Sequence, residues 1–409
     1  MALKILLVSS KYPPEYSGSG LRAHRTYQRL EKKFGISWDV LCSSIEINQS
    51  AVYEHEGIKV TRIAAKIIAQ QRSRERNKTL LDKIALRLNY FSEAIRVRAY
   101  LRKNIHDYDV VHVFGNVALT TEVVACCQRF KKPLIYEFCN EVSSPIPYRP
   151  LLMKIWDPIA FPPQTQFVCI SQRLEELCQR YGLRQNIWTR PNPVDPRNFF
   201  VDRARKAECR RSLTKFREED LLLVYVANFI PRKNQLFLLD VLARLPQPYK
   251  LILAGPVVQA GPNVKGDHDY FHQVEQKVKQ LHLQERVEIV ERFIDHMEDF
   301  IRMSDVYLFP TKAEGLGTPM LESICCGVPV VAHCIRGITD QWIIDGKNGY
   351  LSSLDVQDFA NKIEQAVKIP EKALDQSARE LIQVAGTDVI DQKYYELLCS
   401  AVRKEDNVK

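Results

Sequence analysis

Twice along this chain, short runs rich in apolar residues alternate with helical stretches, and that alternation limits the fold more than any other feature. In the first half the runs are "LKILLVSS", "WDVLCSS", "IKVTRIAA", "DVVHVFG", "PLIYEFCN" and "FVCIS". "LKILLVSS" is a continuous apolar strand, and "DVVHVFG" and "PLIYEFCN" read as further buried strands. Between them "LRAHRTYQRLEKKF", "NKTLLDKIALRLNYFSEAIRVRAYLRKN" and "QRLEELCQRYG" carry a helical pattern, and the proline-rich region 145–163 is expected to be a loop. "RPNPVDPRNF" (190–199) then interrupts with three prolines and reads as a linker. The pattern restarts with "LLLVYVANF", "YKLILAG", "RVEIVER" and "DVYLFP", with helices expected from about Asn234, over 270–282, over 295–303 and near 355–367. Such alternation predicts an α/β chain with mostly parallel sheets and helices on both faces. The expected organisation is an N-terminal Rossmann-like domain (1–195), a second one (196–375) and a helical C-terminal segment (376–409) crossing back to the first. Ligands of such sheets lie beyond the carboxyl ends of the strands, here in a cleft between the halves.

Composition narrows the class. With 409 residues, 45% hydrophobic and 26% charged, the chain suits two soluble domains, and no apolar run approaches the ~20 residues of a membrane span. "MALKILLVSS" is too short for a signal peptide's apolar region and ends as a strand does. Eleven cysteines are scattered, with Cys126–Cys127 and Cys325–Cys326 adjacent and no CxxC pair, which predicts reduced, mostly buried thiols in a cytoplasmic protein. The net charge of +9 is concentrated between residues 59 and 103. There Lys59, Arg62, Lys66, Arg72, Arg74, Arg76, Lys78, Lys83, Arg87, Arg96, Arg98, Arg102 and Lys103 face only Glu75, Asp82 and Glu93. Two readings fit this segment: a solvated helix face, or a surface for anionic lipid or an anionic acceptor at the membrane periphery. No nucleic-acid recognition motif accompanies the charge.

The stretch "KAEGLGTPMLESICCGVPVV" (312–331) holds two acids eight positions apart, Glu314 and Glu322, around a glycine-rich turn. Pro319 suits the first turn of a helix, with Thr318 as the expected cap. Met320, Leu321, Ile324 and Cys325 supply an apolar face, Gly327 a C-terminal stop, and "VPVVAH" a buried strand. The free amides of such a helix start attract phosphate.

In its order of motifs the chain resembles glycosyltransferase family 4, a two-domain GT-B family. The resemblance runs nearly the full length and is strongest over 221–351. It rests on Glu314…Glu322 within "EGLGTPMLE" and "CGVPVV", preceded by "SDVYLFPT" and followed by "DGKNGYL". "PPEYSGSG", "DVVHVFG", "CIS", "PNPVD" and "PRKNQ" support it. The resemblance implies a retaining transfer of sugar from a nucleotide diphosphate sugar to an acceptor hydroxyl of a glycan or lipid-linked acceptor, as in cell-surface glycan or glycolipid synthesis. It implies no metal or other cofactor. Glu322 would hold the ribose hydroxyls and Glu314 would lie by the sugar ring, while the turn Gly315–Leu316–Gly317–Thr318 offers amides to the diphosphate. Lys233 in "PRKNQ" would stabilise the charge of the leaving group, with Arg232 beside it. Gly18 and Gly20 would approach the donor phosphate from the first domain. Asn192 in "PNPVD" is expected to be structural, closing the linker.

The chain departs from the family in two places. Ala227–Asn228 stand where "GR" is common, so one cation for the diphosphate is missing. Phe114 stands where a histidine is frequent, and His112, two residues earlier, is expected to point to the other side of its strand. Candidates for an acid–base partner from the first domain are His24, Glu137 and Asn140. The "DHD" cluster at 267–269, with His272 one turn on, is expected in a loop and is not a metal site in this reading. The rival readings are a catalytically silent paralogue that binds nucleotide sugar, and a GT-B epimerase or phosphorylase.

Overall fold

The structure, a computed structural model, describes residues 3–15, 18–44, 47–65, 80–115, 118–139, 159–257 and 264–406. The chain divides into two compact units, Met1–Arg190 with Ile390–Lys409, and Pro191–Val389.

In the first unit β1 (Lys4–Ser9) runs into α1 (Gly18–Phe34), then β2 (Ser37–Ser44), β3 (Ala51–His55), β4 (Ile58–Ala64), α2 (Leu80–Asn104), β5 (Val110–Phe114), α3 (Ala118–Arg129), β6 (Leu134–Phe138), β7 (Gln166–Cys169), α4 (Gln172–Arg180) and β8 (Ile187–Thr189). The sheet order is β3-β4-β2-β1-β5-β6-β7-β8, parallel except for the antiparallel β3–β4 pair. Strand β3 carries no continuous apolar run and was not among the expected strands. It exists through a two-residue hairpin at Glu56 (φ 50°) and Gly57 (φ 80°), a turn whose two positive angles match the twist of paired strands.

The second unit contains α5 (Lys206–Leu213), β9 (Leu221–Val226), α6 (Gln235–Arg244), β10 (Tyr249–Ala254), α7 (Val264–Gln280), β11 (Val287–Val290), α8 (Met297–Arg302), β12 (Val306–Phe309), α9 (Thr318–Cys325), β13 (Val330–His333), β14 (Gly349–Ser352), α10 (Val356–Ala366) and α11 (Glu371–Ala385). Its sheet is wholly parallel in the order β11-β10-β9-β12-β13-β14. This is the doubly wound 3-2-1-4-5-6 order, which reverses between β9 and β12 and opens a crevice beyond their carboxyl ends. The last helix, α12 (Thr387–Asp406), leaves this unit and returns to the first. Its Ile390, Tyr394, Leu398 and Ala401 recur at helical spacing and are all buried with Ile5, Leu7, Val40 and Val110 of the first sheet. Phe34 and Tyr395 stack beside them at 4.2 Å.

Nine of the eleven cysteines are buried, Cys399 is half-buried and Cys334 exposed, and all eleven are free thiols. Among the described residues no helix is long and apolar enough to cross a membrane. Two expectations need correction. "DHD" does not lie in a loop: α7 begins at Val264, so Asp267 stands in its first turn, where a carboxylate complements the helix dipole. And His112 shares a face with Phe114, ring centroids 4.4 Å apart, because side chains two apart on a strand point the same way. Of the basic segment, Lys66, Arg72, Arg74, Arg76 and Lys78 lie outside the described residues, as do Asn140 and most of the proline-rich region.

Candidate functional site

In the second unit the chain leaves β9 through Ala227–Ile230 into a short 3₁₀ turn, Pro231–Lys233. Lys233 is followed by Asn234 in the left-handed region (φ 64°), a conformation asparagine tolerates better than most residues. That single residue reverses the chain and starts α6. The turn is tied down from below and from the side. Tyr225 Oη donates to the Lys233 carbonyl at 3.0 Å, the Lys312 amide donates to the Arg232 carbonyl at 3.0 Å, and Asn234 Nδ2 donates to the Pro310 carbonyl at 3.3 Å.

These bonds clamp the loop after β9 to the loop after β12. They bring together residues 81 positions apart: Lys233 Nζ donates to Glu314 Oε1. Arg232 donates to the other carboxylate oxygen at 2.7 Å and to the Ala313 carbonyl. Burial alone would raise the Glu314 carboxyl, but Lys233 and Arg232 outweigh it and hold it below the usual carboxylate value. The same burial lowers the Lys233 ammonium from its ordinary value, against the pull of Glu314. Two cations and one anion therefore share a half-buried site.

Beyond Glu314 the chain turns through Gly315–Leu316–Gly317. Gly317 has φ 89°, and a Cβ there would stand 2.6 Å from the Phe309 ring, so both the angle and the space demand glycine. The cap of α9 is this Gly317, not the expected Thr318, which is the first helical residue with Pro319 after it. Thr318 instead receives a hydrogen bond at 2.7 Å from Asn192 Nδ2, which fastens the linker to the helix start. Among the described residues the amides of Gly315, Leu316, Gly317 and Thr318 donate to no protein acceptor. Glu322 stands one turn along α9 and half-buried, while Met320, Leu321, Ile324 and Cys325 are buried as their spacing predicts. Lys233, Arg232, Glu314 and the amides thus converge at the strand order's reversal. Sequence reasoning missed Tyr225, Asn234 and Phe309, which hold the site. Only Asn234, an asparagine between a turn and a helix, left a readable signal.

The first-unit candidates divide differently. Gly18 and Gly20 open α1 immediately after β1 and its loop, at the switch between β1 and β5. His24 is buried one to two turns later, its Nδ1 2.5 Å from Tyr12 Oη. Glu137 is wholly buried on β6. Arg190 donates to its Oε1 at 2.6 Å and Tyr394 to its Oε2 at 2.5 Å, with Arg22 at 3.6 Å and His112 at 3.7 Å. Burial alone would raise this carboxyl, yet the surrounding cations hold it at about 2. A carboxylate so held does not exchange protons near neutral pH, so Glu137 is a core anion rather than an acid–base group. His112 is likewise buried in the core: burial lowers its imidazole, Tyr27 Oη lies 2.8 Å from Nδ1, and Nε2, 3.7 Å from Glu137 Oε2, has no hydrogen-bond partner among the described residues.

Comparison with known proteins agrees with this layout. The family described as Glycosyl transferases group 1 matches residues 208–381, and Glycosyltransferase Family 4 matches residues 50–198. An N-acetyl-alpha-D-glucosaminyl L-malate synthase of Bacillus anthracis is 26% identical over 235 residues, 54% of this chain and 55% of that protein. The chain thus spans about half the length of such curated relatives. Among solved structures, HepE of Anabaena in complex with UDP superposes with a TM-score of 0.73 at 19% identity, over 97% of this chain and 100% of that one. Sucrose-phosphate synthase of Thermosynechococcus elongatus does so with a TM-score of 0.74 at 19% identity, over 100% of both chains.

Proposed function

The chain belongs to the family-4 type of glycosyltransferases and has the GT-B fold of two Rossmann-like units, and from this premise we propose that it transfers a sugar from a nucleotide diphosphate sugar to an acceptor hydroxyl, with retention. The observation that carries the proposal is the meeting of Lys233 and Arg232 with Glu314 beside the amides of 315–318, which have no acceptor among the described residues. Without donor, Glu314 pairs with both cations and offsets one of their two charges. A diphosphate brings further negative charge to the same place and competes for them, while the amides donate to its oxygens. As the glycosidic bond breaks, charge grows on the leaving phosphate, and Lys233 stabilises it without reorganising. Glu314, relieved of part of its pairing, then accepts hydrogen bonds from the sugar hydroxyls, and Glu322 those of the ribose. The leaving phosphate itself takes the acceptor's proton, consistent with the absence of a proton-exchanging role for Glu137.

In this reading no metal is needed at the diphosphate, because protein cations and amides supply the positive charge. HepE in complex with UDP favours a uridine donor among those to be tried first. The acceptor is a glycan or lipid-linked hydroxyl presented at an anionic membrane surface. Supporting this, Ile84, Leu88, Phe91 and Ile95 of α2 are exposed, recur at spacings of four, three and four, and stand with exposed Arg87, Arg102 and Lys103. The test is nucleotide release and product mass across a panel of nucleotide diphosphate sugars, with chelator present. Release from none of them would leave a silent nucleotide-sugar binder, which the missing cation at Asn228 favours. Release that chelator abolishes and Mn²⁺ restores would overturn the metal-free site.

A further inference from the structure

The hairpin turn of β3–β4 and the buried end of a helix place three metal-ligating side chains together in the first unit, well apart in chemistry from the anion-binding groups above. His24 Nε2 on α1 lies 3.0 Å from Glu56 Oε2, and His55 Nε2 lies 4.0 Å from Glu56 Oε1. The His24 and His55 rings are 5.1 Å apart, and one ligand atom from each of the three residues falls within 4.8 Å of the others. We propose that His24, His55 and Glu56 form a site for a zinc-type divalent cation that fastens the β3–β4 hairpin to α1.

The geometry asks for little movement. Zinc–nitrogen and zinc–oxygen bonds of about 2.0–2.2 Å put tetrahedral ligand atoms roughly 3.3–3.5 Å apart. His24 and Glu56 are already within that distance, and the His55 side chain, 29% exposed and 4.0 Å from Glu56, would have to turn inward. Two imidazoles and a carboxylate are a donor set that zinc accepts, with a fourth position open to water. The support behind the buried ligand is present as well. Tyr12 Oη sits 2.5 Å from His24 Nδ1, so when Nε2 binds a cation the ring proton resides on Nδ1 and Tyr12 oxygen accepts it. Gln28 Nε2 donates to Glu56 Oε2 at 2.6 Å and steadies the carboxylate without adding charge.

The hairpin itself is anchored to the same loop. Tyr53 donates to the Pro13 carbonyl, and Arg62 donates to Tyr53 Oη at 2.7 Å and to the Pro13 carbonyl at 3.3 Å. Glu56 holds a positive φ that asparagine or glycine would adopt more easily, yet the residue there is a potential ligand. A second triad, His296, Glu298 and Asp299, makes the contrast plain. Its Asp299 is already paired with Arg205 at 3.3 Å and Arg302 at 3.1 Å, so a cation there must displace two guanidinium groups.

The experiment is a metal titration of the full chain after stripping with chelator. Zn²⁺ is measured in competition with a chromophoric chelator, Co²⁺ by visible absorption, and the midpoint of thermal unfolding with and without Zn²⁺. One tight equivalent is expected, with no thiolate-to-cobalt charge-transfer band and with an upward shift in the unfolding midpoint. His55→Ala and Glu56→Gln, both on the exposed hairpin, should each weaken Zn²⁺ binding by at least tenfold and remove the shift, with metal-free midpoints unchanged. Tyr12→Phe should weaken binding less, in keeping with a residue that only orients His24. No stoichiometric binding, binding that survives both hairpin variants, or a thiolate band that assigns the metal to cysteines would each overturn the proposal.

Discussion

Replacing Glu137 by Gln tests whether one buried anion holds the C-terminal helix in the first unit. The substitution keeps the volume and an acceptor for Tyr394 but removes the charge that faces Arg190, itself buried, at 2.6 Å. Breaking a buried pair by neutralising one partner costs about 3–5 kcal/mol. The carboxyl gives an independent figure: held at about 2 against an ordinary 4.5, it contributes about 3 kcal/mol near neutral pH. The two agree at roughly 3 kcal/mol, or a factor of about 10² in local opening. Amide exchange at pH 7, read by mass on peptides of α12 and β6, should accelerate by about that factor, while peptides of the second unit serve as an internal control.

The pH dependence follows with a definite sign. A carboxyl depressed in the folded state stabilises above its unfolded value and loses that contribution as the pH falls toward its folded one. The gap between wild type and Glu137→Gln in urea unfolding should therefore be full at pH 6–7 and shrink from about pH 5 toward pH 2. Trp188, whose ring is 5.0 Å from Tyr394, reports the transition by fluorescence. Exchange of α12 within threefold of wild type, or a gap that stays constant down to pH 3, would refute the reasoning.

Other variants address the donor site. Lys233→Ala should lower kcat by about 10²–10³, the loss of one preorganised charge partner, with little change in unfolding midpoint; a kcat within threefold of wild type would remove Lys233 from the mechanism. Glu322→Ala should raise KM for the donor at nearly constant kcat, because ribose contacts are alike in ground and transition states, whereas Glu314→Ala should lower kcat; the reverse split would exchange their roles. Gly317→Ala should destabilise the second unit by about 1–3 kcal/mol and weaken nucleotide binding, since its Cβ meets the Phe309 ring; binding equal to wild type by calorimetry would show the turn is not a phosphate cradle. Ile95→Glu with Leu88→Glu should abolish binding to anionic vesicles that is itself weakened by salt, and equal binding to neutral vesicles would remove charge from the interaction.

Much of the architecture was legible because burial on both faces of a parallel sheet writes continuous apolar runs into the chain, and helices between them write a 3.6-residue period. The order of those runs implied two doubly wound units, and the glycines and proline of 312–331 marked a glycine-rich turn leading into a helix start. Local pattern stopped short elsewhere. It did not reveal β3, a short edge strand of mixed residues, mostly exposed, which Glu56–Gly57 turn back on β4. It placed the start of α7 too late, since Gly266 suggested a loop where the first helical turn already stands.

What only the tertiary structure decided is which distant residues meet. The reversal of strand order sets β9 beside β12, so Lys233 and Arg232 reach Glu314 across some eighty residues of chain. The return of α12 brings Tyr394 to Glu137, 257 positions away, and turns an acid that looked available for chemistry into a buried counter-ion. His24, His55 and Glu56 converge for the same reason. A side chain's local spacing dictates the face it takes on its own element, but its charge and its partners depend on which elements the sheet sets side by side and how much water they exclude.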